Sequence, residues 1–152
     1  MPGSNNFCDT TACIDYIAST ILNQSTWSSY TVPLTGVYPY EVDAIPTFPS
    51  VAVIDNGLKR EYSGPHMFTL YLGVQLVVMH GVLMTPLATR TQQDMQIARQ
   101  VTLALHADRT LGGNIVQGWV AKEDIISLKG QSDIIKCSSL QWLGEAREID
   151  VT

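Results

Sequence analysis

Residues 67–84 read MFTLYLGVQLVVMHGVLM, and the alternation along this run decides the fold. Every second residue (Phe68, Leu70, Leu72, Val74, Leu76, Val78, His80, Val82, Met84) is apolar but for one histidine. The residues between them (Thr69, Tyr71, Gly73, Gln75, Val77, Met79, Gly81, Leu83) mix polar and apolar types. Successive strand side chains point to opposite faces, so the run predicts a long central antiparallel strand with one core face and one semi-polar face. Gly73 and Gly81 are expected at bulges or bends within it.

Just before this run, SVAVI and LKREYS flank Asp55-Asn56-Gly57. Asn and Gly tolerate the positive φ angles of a two-residue type I′ turn, so residues 50–63 predict a β-hairpin turning at Asn56-Gly57. His66 follows in a Gly-Pro-His turn. After the long strand, Thr85 or Thr91 opens a helix to about Ala107. Met95, Ala98, Val101, Thr102 and Leu105 form its inward stripe, and Arg90, Gln93, Asp94 and Gln100 face out. His106 stands at its C-terminal end, where a cation favours the helix dipole. Residues 114–121 and about 133–147 predict the last strands, separated by Lys129-Gly130-Gln131, and Glu123 and Asp124 are expected as solvated acids in a turn or at a strand end.

At the other end, residues 1–8 predict a flexible lead-in, and Asp9 or Thr10 caps a helix to about Asn23. Cys13, Ile14, Ile17, Ala18 and Ile21 make its buried face. Residues 25–48 are rich in Ser, Thr, Tyr and Pro. Pro33, Pro39 and Pro46 exclude sustained helix and predict a long loop, with room for a short strand near Tyr30 or Val37. The fold class is therefore α+β: a mainly antiparallel sheet with a long central strand and a hairpin, and two principal helices packed on one face, in a single domain spanning 1–152.

Composition narrows the function classes. The chain has 152 residues and a net charge of −5, which makes a basic nucleic-acid-binding module a poor fit. Only 15% of residues are charged, against about a quarter ordinarily, consistent with surface covered by partners. No Lys or Arg precedes Lys59, while Asp9, Asp15, Glu41, Asp43 and Asp55 do, and Glu145, Glu148 and Asp150 outnumber Arg147 at the C-terminal end. The N-terminus lacks the charged and apolar regions of a signal peptide, and residues 70–84 fall short of the ~20 that a membrane helix needs, so a soluble protein is expected.

Frames for chemistry are lacking. Cys8, Cys13 and Cys137 form neither a CxxC pair nor a disulfide framework, and Cys13 and Cys137 are expected as packing residues. His66, His80 and His106 lie in different elements, without the spacing of a metal site. No nucleophile elbow, H-E-x-x-H or phosphate-binding loop occurs. Trp27, Trp119 and Trp142, with Tyr30, Tyr38 and Tyr40, lack neighbouring basic residues, which favours core or subunit-interface roles over base stacking. The expectation is a protein that is not an enzyme and carries no cofactor or metal.

One motif remains. Residues 103–113 read LALHADRTLGG: a helix end, a short turn in which Leu111 packs back under the helix, and Gly112 and Gly113 reversing the chain into the next strand. This segment resembles the Asp-x-Thr-Leu-Gly-Gly turn of the tail terminator (tail-completion) proteins of long-tailed bacteriophages, matching it at Asp108, Thr110, Leu111, Gly112 and Gly113. The resemblance extends from about Thr10 to Arg147 as an order of elements, with residues 49–54, Phe68 to Val82 and Gln92 to His106 in the corresponding places. The 25–48 loop is longer than in that family.

The resemblance implies a homo-oligomeric ring, typically a hexamer, stacked on the last ring of the tail tube protein at the head-proximal end of the virion. It meets a neck, stopper or connector protein above, and DNA passes through its lumen without specific binding. An acidic channel lining from among Asp9, Asp15, Glu41, Asp43, Glu145, Glu148 and Asp150 suits that role, because the lumen must not grip phosphates. The alternatives are another head–tail joining protein and a small-molecule-binding or enzymatic α+β domain.

Overall fold

A computed structural model describes residues 9–22, 36–39, 50–82, 87–129 and 134–149. The lead-in 1–8, most of the 25–48 loop, Glu41, Asp43 and Asp150 lie outside them. Helix α1 (Thr10–Tyr16) begins at Asp9, whose carboxylate accepts from the Ala12 N–H at 3.2 Å. The helix widens into a π-helical turn at Ile17–Ile21. The Ser19 hydroxyl donates to the Asp15 carbonyl at 2.6 Å, and the Leu22 N–H reaches five residues back to Ile17. A hydroxyl that engages the carbonyl four residues back loosens the α ladder there. The apolar face survives the change: Cys13, Ile14, Ile17, Ala18 and Ile21 are all buried, as is Leu22.

Strands β1 (Gly36–Pro39), β2 (Ser50–Gly64), β3 (Met67–Val82), β4 (Gln117–Lys129) and β5 (Ile134–Ile149) form one sheet in the order β1-β2-β3-β5-β4. Only the short β1 pairs in parallel, with Gly36 opposite Ser50; the other three pairings are antiparallel. The fold is α+β. The long strand predicted from the alternation is β3, central in the sheet. Its Leu70, Leu72, Val74, Leu76 and Val78 are buried while Thr69, Tyr71, Gln75 and Val77 are half-buried.

The hairpin turn is not where the sequence places it. β2 runs through Asn56-Gly57 and pairs with β3 along its whole length, and the chain reverses at Gly64–His66 instead. Asp55 sits opposite Val74 and Leu58 opposite Leu72, so Asn56 and Gly57 together face Gly73 as a β-bulge. Gly57 takes φ +101°, and its N–H is held at 3.0 Å by the Asp55 carboxylate. Positive φ is thus used at the predicted place, but to insert a residue rather than to turn. The bulge also explains Gly73, where a Cβ would lie 3.1 Å from the Asn56 carbonyl oxygen. A second shift, between β3 and β5, falls between Met79 and Gly81.

Helix α2 (Leu87–Ala107) lies on the same face as α1. Ala98, Val101 and Leu105 of the expected stripe are buried, together with Ile97 and Ala104, while Thr102 is half-buried. Gln100, expected outside, is buried with its Oε1 lacking a partner among the described residues. The buried arc from Ile97 to Leu105 is wider than the predicted stripe and takes in its flank. The side chains of Arg90, Gln93, Asp94 and Met95 lie outside the description. These helices, Val51 and Val53 of β2, the even-numbered face of β3, and Leu140, Trp142 and Ala146 of β5 make the main core. On the opposite face Ala52, Met79 and Cys137 form a smaller cluster at one end of the sheet.

β4 starts later and runs further than predicted. Glu123 and Asp124 lie within it, and Asp124 pairs with Lys122 at 3.4 Å. Trp142 is fully buried, and its ring lies across the Gly118–Gly144 pair. A Cβ would come within 2.1 Å of the ring at Gly118 and 2.5 Å at Gly144.

Candidate functional site

The residues that carry the resemblance form a joint between three elements, α1, α2 and β4. α2 ends at Ala107, and the Asp108 carboxylate then accepts from the Tyr16 hydroxyl of α1 at 2.5 Å, from the Gly112 N–H at 3.2 Å and from the Thr110 hydroxyl at 3.4 Å. The Tyr16 hydrogen bond, aided by those of Gly112 and Thr110 and opposed by burial, holds Asp108 below the ordinary carboxylate pKa; the same bond first, then burial and the negative charge, raise Tyr16 above 10.0. The Gly113 and Ile115 N–H groups both donate to the Thr110 carbonyl at 3.1 Å. The Val116 N–H then reaches the Glu145 carbonyl at 2.8 Å, which brings the chain into the sheet.

Leu111, Gly112 and Gly113 take φ of +51°, +66° and +91°. For Leu111 that conformation costs about 1–2 kcal/mol, which full burial of its side chain in the main core offsets. Gly112 is needed for its backbone and also for space, since a Cβ there would sit 2.9 Å from the Tyr16 hydroxyl. The turn is thus a fixed structural device, and its polar groups are consumed within it.

Two neighbouring side chains act on the edge of the sheet. The Arg109 Nε donates to the Gly118 carbonyl at 3.2 Å, and the His106 Nε2 accepts from the Val120 N–H at 3.0 Å. His106, in the last turn of α2, thus spends its Nε2 on the backbone of β4. Nothing in the linear pattern ties residue 106 to residue 120; the tight turn between them does.

Among the described residues, the acids named from the sequence (Asp9, Asp15, Glu145 and Glu148) are not brought together. Asp9 and Asp15 sit on α1, on the helix side. Glu148 pairs across the sheet with Phe68 and so lies on the helix face, where Arg60 meets it at 3.3 Å. Glu145 pairs with Tyr71 and Gln117 and lies on the opposite face, accepting from the Gln117 amide at 3.3 Å. There Glu61, burial and Glu145 raise the Tyr71 hydroxyl above its ordinary pKa, against the opposing charge of Lys59. That face carries Lys59, Glu61, Lys122, Asp124, Glu145 and Arg147, a balance of signs rather than an acidic field.

Nothing described assembles a reaction centre. An open cavity of about 260 Å³ between α1 and β1 is lined by Asp15, Ala18, Ser19, Val37 and Pro39, with a single ionisable group. Among the described residues no three His, Cys, Asp or Glu side chains group as metal ligands, and no helix is long and apolar enough to cross a membrane. Cys13 and Cys137 are buried in packing positions, Trp142 is in the core, and Trp119 is half-buried opposite Leu143. No protein-family model and no curated protein matches the chain.

Proposed function

We propose that this chain is the subunit of a ring that ends the tail tube of a long-tailed bacteriophage and joins it to the head-side connector, as a virion protein and not an enzyme. The observation that carries the reading is the Asp108–Gly113 turn. All five residues of the resemblance take part in one joint, locking α2 to α1 through Tyr16 and delivering the chain into β4. Around that joint the elements follow the order the resemblance requires: an amphipathic helix, a proline-bearing segment, a strand pair with a long central member, a helix, the turn and two strands. In the ring, the tube protein lies below and a neck or stopper protein above, and DNA passes through the centre without specific contacts.

The experiment is loss of the gene product in infected cells. Overlong tubes without heads, shortened to normal when the chain is supplied from a plasmid, are the expected result. Tails of normal length that fail to attach to heads would assign the chain to the neck instead. Complete infectious particles that lack the protein would end the virion reading altogether.

A further inference from the structure

The four long strands β2, β3, β5 and β4 alternate in direction, and β1 covers only residues 50–53 of the outer side of β2. Beyond these residues both margins of the sheet present backbone groups that no described residue pairs. Which groups point outward follows from the register. The Glu145 carbonyl faces β4, since it accepts from the Val116 N–H. By strand alternation the even-numbered groups of β5 face β3, and the outward groups of β2 past its bulge are those of Leu58, Arg60 and Tyr62. On β4 they are Gly118 and Val120 and then, past a register shift at residue 121, Glu123 and Ile125.

The first two are taken: Arg109 closes the Gly118 carbonyl and His106 the Val120 N–H. The open part of this edge therefore starts immediately after Val120. The two most exposed large hydrophobic residues described, Tyr62 at 71% and Ile125 at 63%, stand one on each open edge. Both lie on the helix-bearing face, since Tyr62 pairs with Phe68 and Ile125 with Ser138.

We infer that the open edge of β4 takes the open edge of β2 from a second copy of this chain, antiparallel, with Leu58 opposite Ile125, Lys59 opposite Asp124, Arg60 opposite Glu123 and Glu61 opposite Lys122. Four features select this register. It makes hydrogen-bonded pairs of Leu58 with Ile125 and Arg60 with Glu123, the residues whose backbone groups point outward. It sets opposite charges together on both faces at once. It converts the pairs Lys59–Glu61 (3.2 Å) and Lys122–Asp124 (3.4 Å), each within one strand of the single subunit, into a square of alternating charge across the joint. And it stops Tyr62 opposite residue 121, where the His106 cap blocks further pairing.

Direction fits as well. With an even number of long strands, a copy rotated about an axis parallel to them presents β2 antiparallel to β4. A contact between two different edges of the same chain repeats from copy to copy, and gives a ring where its rotation closes and an open filament where it does not. The joint supplies the contacts of the proposed ring and rests on that reading only for closure on a tail tube.

Two charge exchanges test it. Lys59→Glu with Glu61→Lys, and separately Lys122→Asp with Asp124→Lys, each preserve net charge and the pair within the strand but oppose like charges across the joint. Each is expected to raise the dissociation constant of the oligomer at least about tenfold, read by sedimentation. All four changes in one chain restore it. In a Cys8→Ser background, Lys59→Cys with Asp124→Cys should give a ladder of covalent oligomers under oxidation. A chain that stays monomeric and fails to cross-link at millimolar concentration, or an oligomer indifferent to the exchanges, overturns the joint. Oligomers that obey the exchanges while tails form normally without the protein would leave the joint standing and remove the terminator reading.

Discussion

Replacing Gly112 by alanine separates the two demands that the turn places on this position. At φ +66° an alanine pays about 1–2 kcal/mol for the left-handed conformation. Its Cβ would also stand 2.9 Å from the Tyr16 hydroxyl and 3.0 and 3.1 Å from ring carbons Cε2 and Cζ, so the ring must move. Moving it stretches the 2.5 Å bond to Asp108, which contributes about 1–1.5 kcal/mol at this half-buried place. The sum is about 2–3.5 kcal/mol, or a fall in Tm of roughly 4–14 °C for a chain of this size.

Gly113→Ala is the control: at φ +91° with open space around it, it pays the conformational part alone, about 1–2 kcal/mol. Urea unfolding followed by circular dichroism gives both values. In a Tyr16→Phe background the hydrogen bond is already gone, and the cost of Gly112→Ala should drop to about that of Gly113→Ala. Equal costs for the two glycines in the wild-type background, or a cost at Gly112 that ignores Tyr16→Phe, would refute the claim that the turn is locked to α1 through this contact.

Because Asp108 titrates below its ordinary value when folded, its stabilising effect is present above about pH 4 and is lost as pH falls through the lowered value. Tyr16, raised above 10.0, stabilises below that pH and loses its effect as pH rises through the raised value. Tyr16→Phe should flatten both limbs of a stability–pH curve, and unchanged limbs would show that the pair is not linked to folding. Gly118→Ala, which drives a Cβ to 2.1 Å from the Trp142 ring, should cost about 1–3 kcal/mol and weaken the near-ultraviolet circular dichroism of that buried indole. Gly57→Ala, like Gly113→Ala, should cost about 1–2 kcal/mol in urea unfolding, the value for a strained φ with no steric contact.

What was legible in the sequence was what a single element states about itself. The alternation of residues 68–78 gives the buried face of β3, because a central strand covered by helices on one side must repeat with period two. The buried residues of α1 announce themselves at helical spacing, and its cap by an aspartate. What was not legible depends on which strand lies beside which. Asn56-Gly57 offers positive φ equally to a turn and to a bulge; the choice belongs to β3, which is long enough to pair with β2 on both sides of it. Gly118 and Gly144 look like breakers in isolation, and only the pairing of β4 with β5 makes them the floor under Trp142.

The same dependence governs the charges. Along the chain the acids gather near the ends, which reads as one field; in the sheet, a separation of three residues puts Glu145 and Glu148 on opposite faces. The period of two that makes β3 readable therefore separates Glu145 from Glu148, and no acidic lining follows from the number of acids alone. It also places Lys59 and Glu61 on one face of β2, and Lys122 and Asp124 on the same face of β4. These margins of the sheet carry matching alternations of sign, and past Val120 and the β1 pairing no described residue pairs their outward backbone groups. The same alternation that hides the C-terminal acids from one another thus sets opposite charges side by side along each margin, Lys59 beside Glu61 and Lys122 beside Asp124.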